Sequence, residues 1–322
     1  MTPWPAIPYP DWADTHALLH LAAQVVGKYR LAHTPWEPHS WHATLYVVPR
    51  GLTTGPVPDA TELTGGSVLL DIDLHALPEA AHIVARNARG VEARFPLESM
   101  SVAEVLGATR DIVEDVGGRF QIHGHPNEVP DPVPFARDTV VRPWDADAVR
   151  RFHGALVRVD SVFRCFRTGF LGRVSPSHLF WGGLDLAVTR FSGRQAPLHP
   201  GGVPHLPDSV TREAYSHEVA SSGFWAGGAG VDAPTFYSYA YPAPDGYQDA
   251  SVKPDAARWH NELSEWVLPY RAVRESADPG AMLLAFLQST YNAAADLGGW
   301  DRAALDAPLG EPGVVRPLGE RP

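Results

Sequence analysis

Residues 177–194 read SHLFWGGLDLAVTRFSGR and residues 214–228 read AYSHEVASSGFWAGG. Both runs are rich in the apolar and aromatic residues that strands favour. Both also carry titratable groups: His178, Asp185 and Arg190 in the first, His217 and Glu218 in the second. Such groups are costly when buried alone, so each requires a partner, a ligand or solvent. Read as one continuous strand, the first run sets His178 on a side with Phe180, Leu184, Leu186 and Arg190, provided that Gly182-Gly183 inserts no bulge. Trp181, Asp185 and Thr189 then face the other way. In the second run His217 lies with Tyr215 and Val219, and Glu218 with Ser216 and Ala220. One face therefore combines His178, Arg190 and His217, and the other combines Asp185 and Glu218.

The first set has the chemistry of an anion site. Arg190 offers a planar bidentate fork, and a histidine gives or takes a proton near neutral pH. Trp181, Tyr215 and Arg194 stand beside it as ligand-binding candidates, while His178, His217, Glu218 and Asp185 are the candidates for acid–base work. The competing reading is a structural ion pair of Arg190 with Glu218 or Asp185. Tyr237, Tyr239 and Tyr241 alternate on one face of a further strand, and their hydroxyls require partners when buried, which favours a polar-lined cavity.

Outward from these runs, the pattern predicts an α+β fold in two similar halves, each with helices packed against an antiparallel sheet. An N-terminal arm covers 1–13, the first half 14–125, a Pro-rich linker 126–143, the second half 144–300 and a tail 301–322. In the first half a helix is expected from Asp14 to Leu31, then strands over 41–52, 67–74 and 81–95 with turns at 53–56 and 87–90. The Ser101/Glu104 capping box opens a second helix, and a short strand follows at 119–123. In the second half a helix opens near Asp145, and strands follow at 178–191, 214–224 and 235–241. Helices close it at 254–275 and 279–297. The order helix, three strands, helix recurs, and the first strand of each half begins at a histidine, His42 or His178. This predicts an internal duplication with a ligand cleft where the halves meet.

A net charge of -11 over 322 residues argues against nucleic-acid binding, which needs a clustered cationic surface. The lone cysteine, Cys165, excludes a disulfide framework and fits a reducing cytoplasm. No leader or membrane span is read from the apolar runs. A divalent metal is one candidate cofactor: His123 and His125 share a strand side and Glu128 follows, an arrangement close to that of cupin-like metal sites. Zincin, phosphate-loop, dinucleotide and nucleophile-elbow signatures are absent.

The segments FWGGLDLAVTRFSGR (180–194), YSHEVASSGFWAGG (215–228), FYSYAYPAP (236–244) and LLAFLQSTYNAAADLGGW (283–300) resemble a bacterial family known as domain of unknown function 5996. So do LYVVPRGLTTGP (45–56) and VPDPVPF (129–135). The likeness spans nearly the whole chain and implies no activity. The expectation from the residues is a small-molecule site for an anionic or polar ligand between the halves, with His, Glu and Asp as acid–base groups and with or without a metal. The alternative is a noncatalytic ligand-binding or assembly protein in which the same side chains form structural networks. Neither nucleic acid nor membrane is an expected partner, and the oligomeric state is not readable.

Overall fold

In the computed structural model, which describes residues 3–75, 81–228, 231 and 233–316, the first half of the chain is a meander between two helices. Helix α1 (Ala13–His33) is buried without a break over residues 21–30, so it is a core helix with little polar face. Strands β1 (Thr44–Val48), β2 (Gly51–Asp59), β3 (Gly66–Asp73), β4 (Ala81–Asn87) and β5 (Glu92–Leu97) each pair antiparallel with the next. The expected strand at 41–52 is therefore two strands that reverse at Pro49-Arg50. The expected turn at 53–56 runs inside β2, where a register shift between Thr53 and Pro56 takes up Gly55 at φ 66°. A bulge absorbs the turn-like residues without ending the strand. Helix α2 (Val102–Asp115) starts at the capping box read from the sequence. Residues 119–123 form no strand: the Arg119 N–H is taken by the Asp59 carboxylate at 2.8 Å instead of by a neighbouring strand.

Residues 126–143 hold one 3-10 turn, Phe135–Arg137, whose Phe135 is wholly buried. Helix α3 (Ala146–Thr168) follows, capped by the Asp145 side chain. The run that opened the sequence reading is a hairpin, β6 (His178–Phe180) and β7 (Asp185–Gln195), with Gly182-Gly183 in its turn. Then come α4 (Asp208–Ala214), β8 (His217–Trp225), β9 (Thr235–Tyr241), β10 (Arg258–His260), β11 (Glu265–Pro269), α5 (Tyr270–Arg274), α6 (Pro279–Leu297) and α7 (Arg302–Leu305). The helix expected at 254–275 is thus a β10–β11 hairpin with a short helix after it. Trp259 stands opposite Trp266, whose indole N–H reaches the Tyr247 carbonyl at 3.1 Å.

The hairpin corrects the side-chain faces. His178 pairs with Ala187 and Phe180 with Asp185, and paired residues share a face. Asp185 therefore joins His178, and Arg190 passes to the opposite side with Leu186 and Val188. Reversing the chain at Gly182-Gly183 resets the alternation that one continuous strand would have kept.

All eleven strands form one antiparallel sheet in the order β10-β11-β9-β8-β7-β6-β1-β2-β3-β4-β5. The expected two sheets are joined through β1 and β6, with Thr44 opposite Phe180. The first half contributes a meander of five strands and the second half six, with β11 set between β9 and β10, against the three expected in each. Leu45, Ile72, Leu179, Leu186, Val188 and Phe224 point to one side and share a single core with α1, α2, α3 and α6. The fold is α+β, with seven α-helices and the one sheet among the described residues. No helix there is long and apolar enough to cross a membrane.

Candidate functional site

The sheet side turned away from that core has two characters. Over the first meander it is an ion-paired surface, with Arg50 on Asp73 and Arg86 on Glu92, both at 2.8 Å. Over the second half it is the floor of a cavity of about 590 Å³. Every second residue of β7 from Asp185 to Phe191 lines it, as do Ser221 and Trp225 of β8, Tyr237 and Tyr239 of β9, and Glu265 of β11. Its walls come from residues 39–43, from Asn127 and Glu128, and from the α4 region, with Lys28 of α1 at one side.

Three glycines shape the acidic end. Gly223 of β8 lies between Ala187 and Tyr237 in the register. A Cβ there would come within 2.2 Å of the Tyr237 hydroxyl, so the missing side chain lets that ring cross β8 and donate its O–H to Asp185. At Gly182 a Cβ would come 2.0 Å from Glu128 Oε1, and one at Gly183 would lie 3.1 Å from Asp185 Oδ1 and 3.8 Å from Glu128 Oε2. The pair that turns the hairpin therefore also leaves room for both carboxyls against its backbone. Gln24 of α1 fixes the loop that carries Glu128 by two 2.8 Å bonds, donating to the Asn127 carbonyl and accepting its N–H. Glu128 itself stands at φ 54°.

Burial decides the acidities. Glu128, though its residue is exposed, is pushed up to about 7 by desolvation of the carboxyl on the cavity side, with the nearby Asp185 charge adding to it. Burial raises Asp185 to about 6 against the opposing hydrogen bond from Tyr237. Glu265 rises to about 8, from burial first and Asp185 second. Among the described residues none of the three has an ion-pair partner, and Glu265 Oε2 is buried without a hydrogen bond. Lys28 is depressed to about 8 by burial, donates to the Asn127 side chain and lies 5.1 Å from the Trp181 ring centre.

The opposite end carries neutral polar groups. His39 and Ser40 both have left-handed backbones, φ 61° and 59°, an uncommon and strained state for side chains with a Cβ. Burial lowers the pKa of His39 and of His42. His39 Nδ1 sits 2.9 Å from the Ala214 carbonyl, so it carries the proton and leaves Nε2 as an acceptor. His42 Nδ1 accepts the Glu37 N–H at 3.2 Å, so its proton is on Nε2. Neither Nε2 has a partner, nor do Ser40 Oγ, Thr211 Oγ1 and Trp181 Nε1, all buried on residues that line the cavity.

The structure brings Asp185, Trp181, Tyr215 and Glu128 of the sequence candidates into this cavity. Arg190 lies behind the sheet: its guanidinium is 3.6 Å from the Phe166 ring centre and 4.3 Å from that of Tyr291, and Nη2 donates to the Phe166 carbonyl at 2.5 Å. The fork expected to hold an anion is enclosed by aromatic rings. Glu218 accepts from Arg194 at 2.7 Å and from Ser192 at 2.8 Å, and Arg194 also donates to the Gly298 carbonyl, which fastens β7 and β8 to the end of α6. His178 is fully buried beside the cavity with both ring nitrogens unpartnered, and its pKa falls to about 3. His217 stands 5.8 Å from His39, ring centre to ring centre.

His123 lies on the cavity wall with the His125 ring 5.5 Å away, while Glu128 turns to Gly182 and Asp185. The three expected metal ligands are thus not assembled, and no group of three His, Cys, Asp or Glu among the described residues is placed to hold an ion. Sequence reasoning missed Glu265 and Lys28. The first sat in a segment read as helix; the second is a single cation among apolar helix residues, with its scarcity as the only signal, since Lys28 and Lys253 are the two lysines of the chain.

A search of the curated proteins finds no match to the chain, and a search of the solved structures finds none. A family model does match: residues 4–307 fit the Family of unknown function (DUF5996), and the chain belongs to that family.

Proposed function

We propose that the protein binds a small polar molecule in the cavity over β7, β8 and β9, and that Glu128 and Asp185 exchange a proton with it. One observation carries this reading: two carboxyls side by side against Gly182-Gly183 on the cavity lining, with no ion-pair partner among the described residues and both raised toward neutrality by desolvation. A group with a pKa near the working pH is half in each form and transfers protons with little penalty. Two such groups with separated values divide the work of acid and base, their protons leaving as a pair rather than independently. Tyr237 holds Asp185 in place, and Gln24 holds the loop of Glu128. A cavity of about 590 Å³ suits a metabolite-sized ligand. The ion pair expected of Arg190 with Glu218 or Asp185 is not formed: Arg190 lies against the Phe166 and Tyr291 rings and Glu218 pairs with Arg194, so none of these three is assigned to the proposed site.

A thermal-shift screen of polar metabolites tests the reading, with each hit repeated on Ala187→Phe, which fills the cavity floor, and on Glu128→Gln. Hits should disappear with Ala187→Phe. In Glu128→Gln they should persist while conversion of the hit, followed by mass spectrometry, falls about a hundredfold or more, the usual weight of a general acid or base. Hits that survive Ala187→Phe would contradict the cavity assignment.

A further inference from the structure

We infer that the occupant of this cavity is an organic ammonium: a small molecule whose positively charged nitrogen sits among Asp185, Glu128 and Glu265, and whose far end carries hydrogen-bonding groups met by His39, His42 and Thr211. The inference rests on the cavity reading above and names the class of ligand.

Charge balance is the first argument. Elsewhere the chain pairs its buried and half-buried acids with arginine: Asp138 with Arg142 at 2.9 Å, Asp160 with Arg164 at 2.6 Å, Glu218 with Arg194 at 2.7 Å. The three cavity carboxyls have no such partner among the described residues. Lys28, the cation on the cavity wall, is engaged by Asn127. A cationic ligand can therefore supply the counter-charge that these carboxyls lack when ionised.

The walls are the second. Trp225 and Tyr237 lie 4.4 Å apart, and Tyr237 and Tyr239 are stacked with planes 15° apart. Aromatic faces attract cations, and more strongly where water is excluded. An organic ammonium also tolerates the spacing of these carboxyls, which do not converge as a metal requires.

The third is independent of charge. His42 and Thr211 are each 1% exposed, line the cavity and keep a polar atom without any partner. Buried groups of this kind are rare unless something completes them. The α4 helix that carries Thr211 is held to His39 through Glu213, and the His39 ring lies 4.5 Å from that of Phe191, the end of the floor six residues from Asp185, or about 20 Å along a strand. The ligand is thus an elongated molecule with a cationic head and a hydrogen-bonding tail.

Isothermal titration of the full chain at pH 7.5 with matched probes provides the test: choline against 3,3-dimethylbutan-1-ol, tyramine against 4-ethylphenol, and 4-hydroxyphenylacetate as the anion. At least one ammonium should bind about tenfold or more tightly than its neutral counterpart, a difference within reach of carboxylate and aromatic contacts. That preference should shrink in Asp185→Asn and in Glu265→Gln. Binding should also release protons, read as heats that differ between phosphate and Tris buffers, because the ammonium draws the carboxyls into their charged form. Neutral or anionic probes that bind as well as the ammoniums, with binding lost in Ala187→Phe, would overturn the charge assignment and leave the cavity reading standing. Calcium, magnesium or zinc chloride binding more tightly than every ammonium would replace it with a metal site. If no probe binds and the metabolite screen yields no cavity ligand, both readings fall.

Discussion

Asp185 faces the cavity and Arg190 the core because of two glycines between His178 and Leu184. Gly223 then decides what Asp185 meets. A Gly223→Ala substitution puts a methyl group where the Tyr237 hydroxyl passes, 2.2 Å away. It should destabilise the protein by about 1–3 kcal/mol through overpacking, measured by denaturant unfolding, and separate Tyr237 from Asp185. Tyr237→Phe removes the same hydrogen bond without the clash; it should raise the Asp185 pKa further, since that bond opposes the upward shift.

The acids also set a pH dependence whose sign is fixed. Glu128 and Glu265, at about 7 and about 8 when folded, hold protons that the unfolded chain has released. Their contribution is full below the unfolded value near 4.5 and is lost as pH rises through the folded values. Buried His16 and His178, both near 3, act in the opposite direction, but only up to about 6.5. Lys28 adds to stability only above about 8. Between pH 6.5 and 8 the melting temperature should therefore fall, and Glu265→Gln should flatten the slope. An unchanged slope in that variant would show that Glu265 titrates normally.

At the scale of elements, hairpins were the hardest feature to read. Trp259, Leu263, Trp266 and Tyr270 recur at spacings of four, three and four, a helical period that this hairpin carries without being a helix. The chain reverses there because Ser264 adopts φ 55°, a conformation no periodicity reports. Capping was legible because it is local: Ser101 with Glu104 and Asp145 at α3 stand where the sequence put them. Helix α3 receives Arg190 through Phe166. With its guanidinium against Phe166 and Tyr291, Arg190→Ala should cost about 2–4 kcal/mol from lost packing and exposed cavity. Ligand response of the folded protein should stay at the wild-type level, and a selective loss of binding at normal stability would return Arg190 to the site.

For the whole molecule, one sheet of eleven strands replaces the two expected, and its outer side divides the chain's chemistry. Where the sheet lies open to solvent its acids are paired with arginine. Where residues 39–43, Glu128 and the α4 region cover it, its acids are unpaired. The sequence showed the acids and aromatics of the second half but not this division, since Glu128 and Glu265 reach Asp185 only through strand order and loop closure. Nor does the strand order establish a duplication: the first half runs β1 to β5 in sequence, whereas in the second β11 lies between β9 and β10. What unites the account is the state of the cavity carboxyls. Carbon-13 NMR of the protein labelled at Glu side-chain carboxyls reports that state directly, with Glu128→Gln and Glu265→Gln assigning the signals. Two resonances titrating near pH 7 and 8, each absent from one variant, are the predicted result; every glutamate titrating near its ordinary value of about 4.3 would contradict the account.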